Sequence, residues 1–269
     1  MKRSGWFVNV LAIGVFALLY LPLLCVMAFS VNASRMGLSW GGFTLSWYAK
    51  LFQDELILKA AANTLELALA STAISTVLGT LLAIGIQRLP WGKRTGGALE
   101  GLLNLPVVTP DIIFAVALVI AFGALRSLTG MFELGMPTMI IGHVAFQVAF
   151  VALIIRSRLQ AIAVDFEEAA FDLYASYGRM LWTVILPLLR PAIFAGAALA
   201  FTLSLDDFVI SFFTSGPDSI TLPIYIYAAV HRGVTPEIHA LSTLVMVLTI
   251  LVVSLMQWLT AKSEKESIA

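Results

Sequence analysis

The sequence predicts an all-α, polytopic membrane protein, and three observations carry that prediction. Six stretches stay apolar for about 20 residues, the length an α-helix needs to cross a bilayer. Hydrophobic residues make up 60% of the 269-residue chain, and the mean hydropathy is +0.95. Charged residues supply only 12%, about half the share usual in a soluble domain. Net charge is zero, so the basic field that nucleic-acid binding requires is missing.

The six spans are expected at residues 6–29, 64–87, 102–125, 138–155, 192–213 and 238–261, in a single transmembrane domain covering 1–269. The first follows Lys2 and Arg3 in the manner of a signal peptide, but its apolar run is long enough to span and is expected to stay as an uncleaved helix. Cys25, the one cysteine, lies inside that run and has no internal disulfide partner. In the third span Pro106 and Pro110 should break the helix, so that Asp111 opens its second half. The fifth span carries Asp206 and Asp207. The tail from Lys262 to Ala269 reads as a solvated end.

Basic residues orient the chain. With the N-terminus inside, one side holds Lys2, Arg3, Arg88, Lys93, Arg94, Arg156, Arg158, Arg179, Arg190, Lys262 and Lys265. The other holds only Arg35, Lys50, Lys59, Arg126 and Arg232. Both termini are therefore expected in the cytoplasm. On the outer side, residues 43–52 suit a short interfacial helix, with Trp47 and Tyr48 at headgroup level. The outer segment 214–237 contains Gly216, Pro217, Pro223 and Pro236, yet Ile220, Leu222, Ile224, Tyr225 and Ile226 make it too apolar to float in water. It is expected to fold back as a lid.

Carboxylates inside apolar spans cost roughly 2.5–3.5 kcal/mol each at the bilayer centre, so they normally face a cavity. Asp111, Asp206 and Asp207 are the candidates. On a continuous helix Asp207 would share a face with Ser204, and Asp206 with Thr202. No Lys or Arg lies within a span to neutralise them, which favours a path for a cation; helix capping and subunit contacts are the competing explanations. Trp47 and Tyr48 could add cation–π attraction at the outer mouth. Glu66 is assigned to the outer end of the second helix, where the helix dipole favours an acid. His143, His231 and His239 are scattered and read as packed or interfacial residues.

The cytoplasmic segment 165–191 interrupts this apolar pattern with charge and reads as helix, turn, helix. Asp165 with Glu168 suits a capping box, Ser176 suits the cap of a second helix, and Pro187 and Pro191 bracket the junction with the fifth span. Glu168-Ala169-Ala170, position 174, Val184 and Leu186-Pro187 resemble the EAA loop of ABC-importer permeases. The resemblance implies a six-helix type I importer permease (MetI-like) fold, with this loop docking into a partner ATPase through Glu168, Ala169, Ala170, Tyr174, Leu186 and Pro187. One departure is plain, because Tyr174 stands where that family has glycine. If the glycine supplies a turn with positive φ, Tyr174 must meet the need differently.

A second resemblance covers nearly the whole chain. Phe201–Phe208 (FTLSLDDF), Ser215-Gly216-Pro217, Thr221-Leu222-Pro223, Gly233–Ala240, Trp47-Tyr48 and Pro110-Asp111 are similar to the spermidine/putrescine permease group. It implies that Trp47, Asp111, Ser204, Asp206 and Asp207 lie on a polyamine path. It also implies a second, related permease subunit, two ATPase subunits that handle ATP and Mg, and an extracytoplasmic polyamine-binding protein, all at the cytoplasmic membrane of a bacterium. No phosphate-binding loop, metalloprotease pair or nucleophile elbow occurs, so no catalytic residue, metal ligand or cofactor is expected in this chain. A proton-driven carrier would explain the acids but not the loop. Another organic cation or a complexed metal remains an alternative cargo.

Overall fold

The computed structural model describes residues 4–34 and 39–268, and every regular element among them is helical. Of the cations that orient the chain, Lys2, Arg3 and Arg35 lie outside the described residues, as does Ala269 of the tail. Six helices are long and apolar enough to cross a membrane. The chain forms two compact units, one of Met1–Lys59 with Tyr225–Ile250 and the other of Ala60–Ile224 with Leu251–Ala269.

In the first unit α1 (Ser4–Ser30) is apolar on all sides and exposed along most of its length. Its exit is organised by Asn32, which is fully buried. The Asn32 carboxamide accepts from the backbone N–H of Ser34 and Gly41 and donates to the Ser39 carbonyl. These bonds satisfy a loop that would otherwise bury orphaned backbone groups. The short helix α2 (Ser46–Leu51) follows, and the first turn of α3 (Glu55–Arg88) is capped by Asp54, which accepts from Leu56 and Ile57. Most of α11 (Leu222–Arg232) and the start of α12 (Pro236–Ile268) complete the unit. The expected outer loop 214–237 thus contains a helix of three turns. The predicted solvated tail continues α12 as helix to residue 268.

The second unit holds most of α3, then α4 (Lys93–Val108), α5 (Asp111–Thr129), α6 (Met136–Ala161), α7 (Asp165–Asp172), α8 (Tyr177–Met180), α9 (Leu186–Asp206) and α10 (Val209–Thr214). Its centre is α6, which packs against α9, α4 and α10. Close approach depends on small residues. A Cβ on Gly79 of α3 would stand 2.7 Å from Val151, and one on Gly196 of α9 would stand 3.2 Å from the same side chain. Glycine at both positions lets α3 and α9 lie on either side of Val151.

The expected restart at Asp111 is present in this unit, but three details change. Pro106 lies inside α4 without breaking it, and the membrane-crossing stretch is Asp111–Thr129 rather than 102–125. Thr109 and Pro110 are extended, and the chain restarts as α5 at Asp111. The fifth span begins earlier than expected, because α8 runs through a π turn (Leu181–Ile185) directly into α9. Pro187 lacks the N–H that would bond back to Thr183, and its ring crowds that carbonyl, so the preceding turn widens instead of ending. The fifth span also ends sooner, since α9 stops at Asp206 and a separate α10 starts at Val209.

Candidate functional site

The break between α9 and α10 is where the second unit concentrates its polar chemistry. Ser71 and Ser75 are one turn apart on α3, His143 and Gln147 are one turn apart on α6, and all four are buried. Ser75 donates to the Gln147 side-chain oxygen at 3.1 Å. The Ser71 and Ser204 hydroxyls lie 3.2 Å apart, joining α3 to α9. His143, 2% exposed, reaches Ser204 through Nδ1 at 2.9 Å and Ser211 through Nε2 at 3.0 Å. Its Nε2 also lies 3.2 Å from Asp207 Oδ2. A single imidazole therefore ties α6 to both sides of the helix break.

Asp207 sits in that break with extended backbone (φ −64°, ψ 123°), not on a continuous helix. Its carboxylate accepts from the first free N–H groups of α10, from Ile210 at 3.3 Å and Ser211 at 2.8 Å. The search for a Lys or Arg partner overlooked His143, whose imidazole is buried beside this acid. Asp206 behaves differently: it ends α9 and is exposed. The two adjacent acids thus have different surroundings, one held inward and one facing out. The break also cancels the expected shared face of Ser204 and Asp207; both meet at His143 instead.

Asp111 is exposed in the first turn of α5, where N-terminal backbone N–H groups favour an acid. Glu66 is not at a helix end, because α3 begins at Glu55 and carries Glu66 in its fourth turn, on an exposed face with Leu69 and Ala73. The dipole argument for Glu66 therefore does not hold.

In the first unit, Trp47 is buried, and its indole N–H donates to the Asn32 carbonyl at 2.8 Å. Lys50 Nζ stands 4.6 Å from the centre of its ring and 3.7 Å from Glu237. The cation–π position expected for a passenger is taken by the chain's own lysine. Tyr48 shares a 2.8 Å hydrogen bond with Ser30.

The cytoplasmic loop is built on α7 and α8. The expected cap by Asp165 is not made; the N-cap is Val164, with no side-chain bond. Glu168 and Ala169 are exposed and Ala170 is buried. Beside Glu168, Glu167 turns inward to Arg88 of α3 at 2.7 Å, and both side chains are largely buried. This anchor was missed because three acids in the first turn look alike in sequence. Ser176 caps α8 as expected, accepting from Arg179.

The turn between α7 and α8 answers the question posed at position 174. Tyr174 itself adopts the left-handed conformation, with φ 56°. Ala175 N–H bonds to the Ala170 carbonyl at 3.0 Å and Tyr174 N–H to the Phe171 carbonyl at 2.9 Å, the paired bonds of a Schellman C-cap. Tyr174 meets the glycine's geometric requirement directly, with its side chain 97% exposed. Phe166, Ala169, Leu173, Ala175, Arg179 and Thr183 line an open apolar depression of about 430 Å³ beside it.

Six helices long and apolar enough to cross a membrane, a helical loop between two of them and buried polar chemistry at a helix break place the described residues in the class of polytopic membrane proteins. Comparison with known proteins makes the class definite. Residues 75–266 match the family described as binding-protein-dependent transport system inner membrane component. The chain is 37% identical over 268 residues to the putrescine transport system permease protein PotI of Escherichia coli strain K12, covering 99% of this chain and 94% of that protein. It is 38% identical over 239 residues to the spermidine/putrescine transport system permease protein PotC of the same strain, covering 89% and 88%. A bacterial ABC transporter that imports alginate superposes with a TM-score of 0.77 at 18% identity, covering 97% of this chain and 96% of that one. The chain belongs to the inner membrane components of binding-protein-dependent transport systems. It has the MetI-like importer permease fold and is a multi-pass protein of the cytoplasmic membrane.

Proposed function

We propose that this permease moves polyamines, putrescine or spermidine, inward across the cytoplasmic membrane as one half of a permease pair. ATP and Mg are used on two partner ATPase subunits, and an extracytoplasmic binding protein delivers the cargo. The observation that carries the reading is the Asp206–Asp207 pair at the helix break that ends a membrane span, in a chain similar over nearly its whole length to PotI and PotC. Carboxylates in a low-dielectric path attract a passenger with several ammonium groups and repel anions. In this reading Asp206 and Asp111 face the path. Ser204 and Asp207 shape it from behind, and Trp47 keeps its assignment to the path from the likeness to the spermidine/putrescine permeases. Glu168, Ala169, Ala170, Tyr174, Leu186 and Pro187 form the ATPase coupling element, since Glu168 and Ala169 on α7 and Tyr174 just beyond it are exposed.

The test is uptake of labelled putrescine and spermidine per assembled complex. An Asp206→Asn/Asp207→Asn double variant keeps side-chain shape and removes charge. Uptake should fall at least tenfold while basal ATP hydrolysis remains, because the coupling loop is untouched. Uptake within about twofold of the parent would leave the cationic path without support.

A further inference from the structure

The unequal surroundings of the two adjacent acids carry an inference about their division of labour, and it rests on the reading just given. We propose that Asp207 is not a ligand for the passenger but a latch, held by His143, that fixes the α9–α10 break and thereby aims Asp206. His143 is then a positioning residue for transport.

The contacts at Asp207 support this. His143 Nε2 lies 3.2 Å from Oδ2 and meets the Ser211 hydroxyl at 3.0 Å, so the ring touches both the acid and the residue whose N–H holds it. The Ser211 N–H fills a second site on the same oxygen, and the Ile210 N–H reaches the other oxygen. These donors occupy the acid before any ammonium arrives, and its side chain is 14% exposed. On the far side of the ring, Nδ1 is engaged by Ser204, which is engaged by Ser71. The chain Ser71–Ser204–His143–Asp207 thus spans α3, α9, α6 and the start of α10. Chemically, it joins both ends of the break to the buried face of α6. Asp206, one residue earlier, is the last residue of α9 and shares none of these bonds. Its direction is set by where the helix is made to stop. An α9 that ran on through 207 and 208 would rotate each later side chain by about 100° per residue. It would also leave Asp207 unpaired in the membrane.

The experiment reads the direction of position 206 without relying on the cargo. In a Cys25→Ser background, Asp206→Cys is labelled by a positively charged methanethiosulfonate in the purified, detergent-solubilised complex. Asp207→Asn retains a side-chain oxygen that accepts from the α10 N–H groups, and should label within about twofold of the parent. Asp207→Ala and His143→Leu release the break, and each should change the labelling rate more than fivefold. His143→Gln can still donate toward Asp207, so it should stay close to the parent, and it carries the comparison if His143→Leu does not assemble. Equal effects of Asn and Ala at position 207, or His143 variants that all label like the parent, would overturn the latch. In transport, with Asp206 intact, a latch predicts that Asp207→Ala lowers maximal uptake with little change in KM. A ligand predicts a raised KM that Asn shares with Ala. Failure of polyamine uptake itself would refute the cargo and leave the labelling comparison standing.

Discussion

Tyr174 shows how a single residue can keep a turn while departing from the residue best suited to it. A non-glycine side chain in the left-handed region costs about 1–2 kcal/mol, and glycine would relieve that while losing about 0.5–1 kcal/mol of chain entropy on folding. Because Tyr174 projects into solvent, no packing inside the chain offsets the strain. Tyr174→Gly should therefore tighten the Schellman turn by roughly 0.5–1 kcal/mol. Hydrogen exchange at the Tyr174 and Ala175 amides should slow by about two- to fivefold. Faster exchange would show that the tyrosine ring stabilises the turn. The sequence exposed the departure at 174 but could not say which residue would take the positive φ, because that depends on how α7 and α8 meet.

At the scale of the element, α7 carries two neighbouring glutamates with opposite duties. Glu167 anchors the helix to Arg88 beneath it, and Glu168 points away. The two should separate experimentally. Glu168→Lys leaves the anchor alone, so membrane insertion and basal hydrolysis should survive while substrate-stimulated ATP turnover in the reconstituted complex falls severalfold. Glu167→Gln removes the charge that balances Arg88 in a largely buried site. Loss of one partner of a buried pair costs several kcal/mol, reduced here to about 1–3 because both side chains keep some solvent. The expected result is a lower thermal midpoint of the complex and faster proteolysis within 165–185, rescued in part by Arg88→Gln. Wild-type stimulated turnover in Glu168→Lys would remove α7 from the coupling role.

At the scale of the whole molecule, the outer segment 214–237 is expected to meet the binding protein. The choice of reporter matters, because Ile224 is buried within the chain and would be shielded with or without a partner. Tyr227 on α11 is 45% exposed and suits the purpose. A cysteine at 227, in the Cys25→Ser background, should react several times more slowly with a membrane-impermeant thiol reagent when loaded binding protein is added. Equal rates would place the docking surface elsewhere. Gly216 adds a structural check on the same segment. A Cβ there would stand 2.3 Å from the Leu134 carbonyl oxygen, so Gly216→Ala should reduce assembled complex while a substitution at exposed Gly97 should not.

Helical class, number of spans, the restart of α5 at Asp111 and the protruding loop were legible in the residues themselves. Each follows from a local quantity, namely hydrocarbon thickness against apolar length, proline's missing donor, or a run of charge between apolar runs. The order of residues around Glu168 and across Phe201–Phe208 also carried the family. The division of roles within each acidic pair was not legible. Glu167 and Glu168, or Asp206 and Asp207, are chemically identical neighbours, and only a partner distant in sequence distinguishes them. Arg88 lies 79 residues before Glu167 and His143 lies 64 before Asp207. His143 did leave a trace, because a His and a Gln one turn apart on an apolar helix face two serines one turn apart on another. Spacing of that kind says that a polar stripe exists but not which stripe it will meet. Tertiary structure decided that pairing, through the glycines that let α3 and α9 close on α6 and the helix break that brings Asp207 to the imidazole.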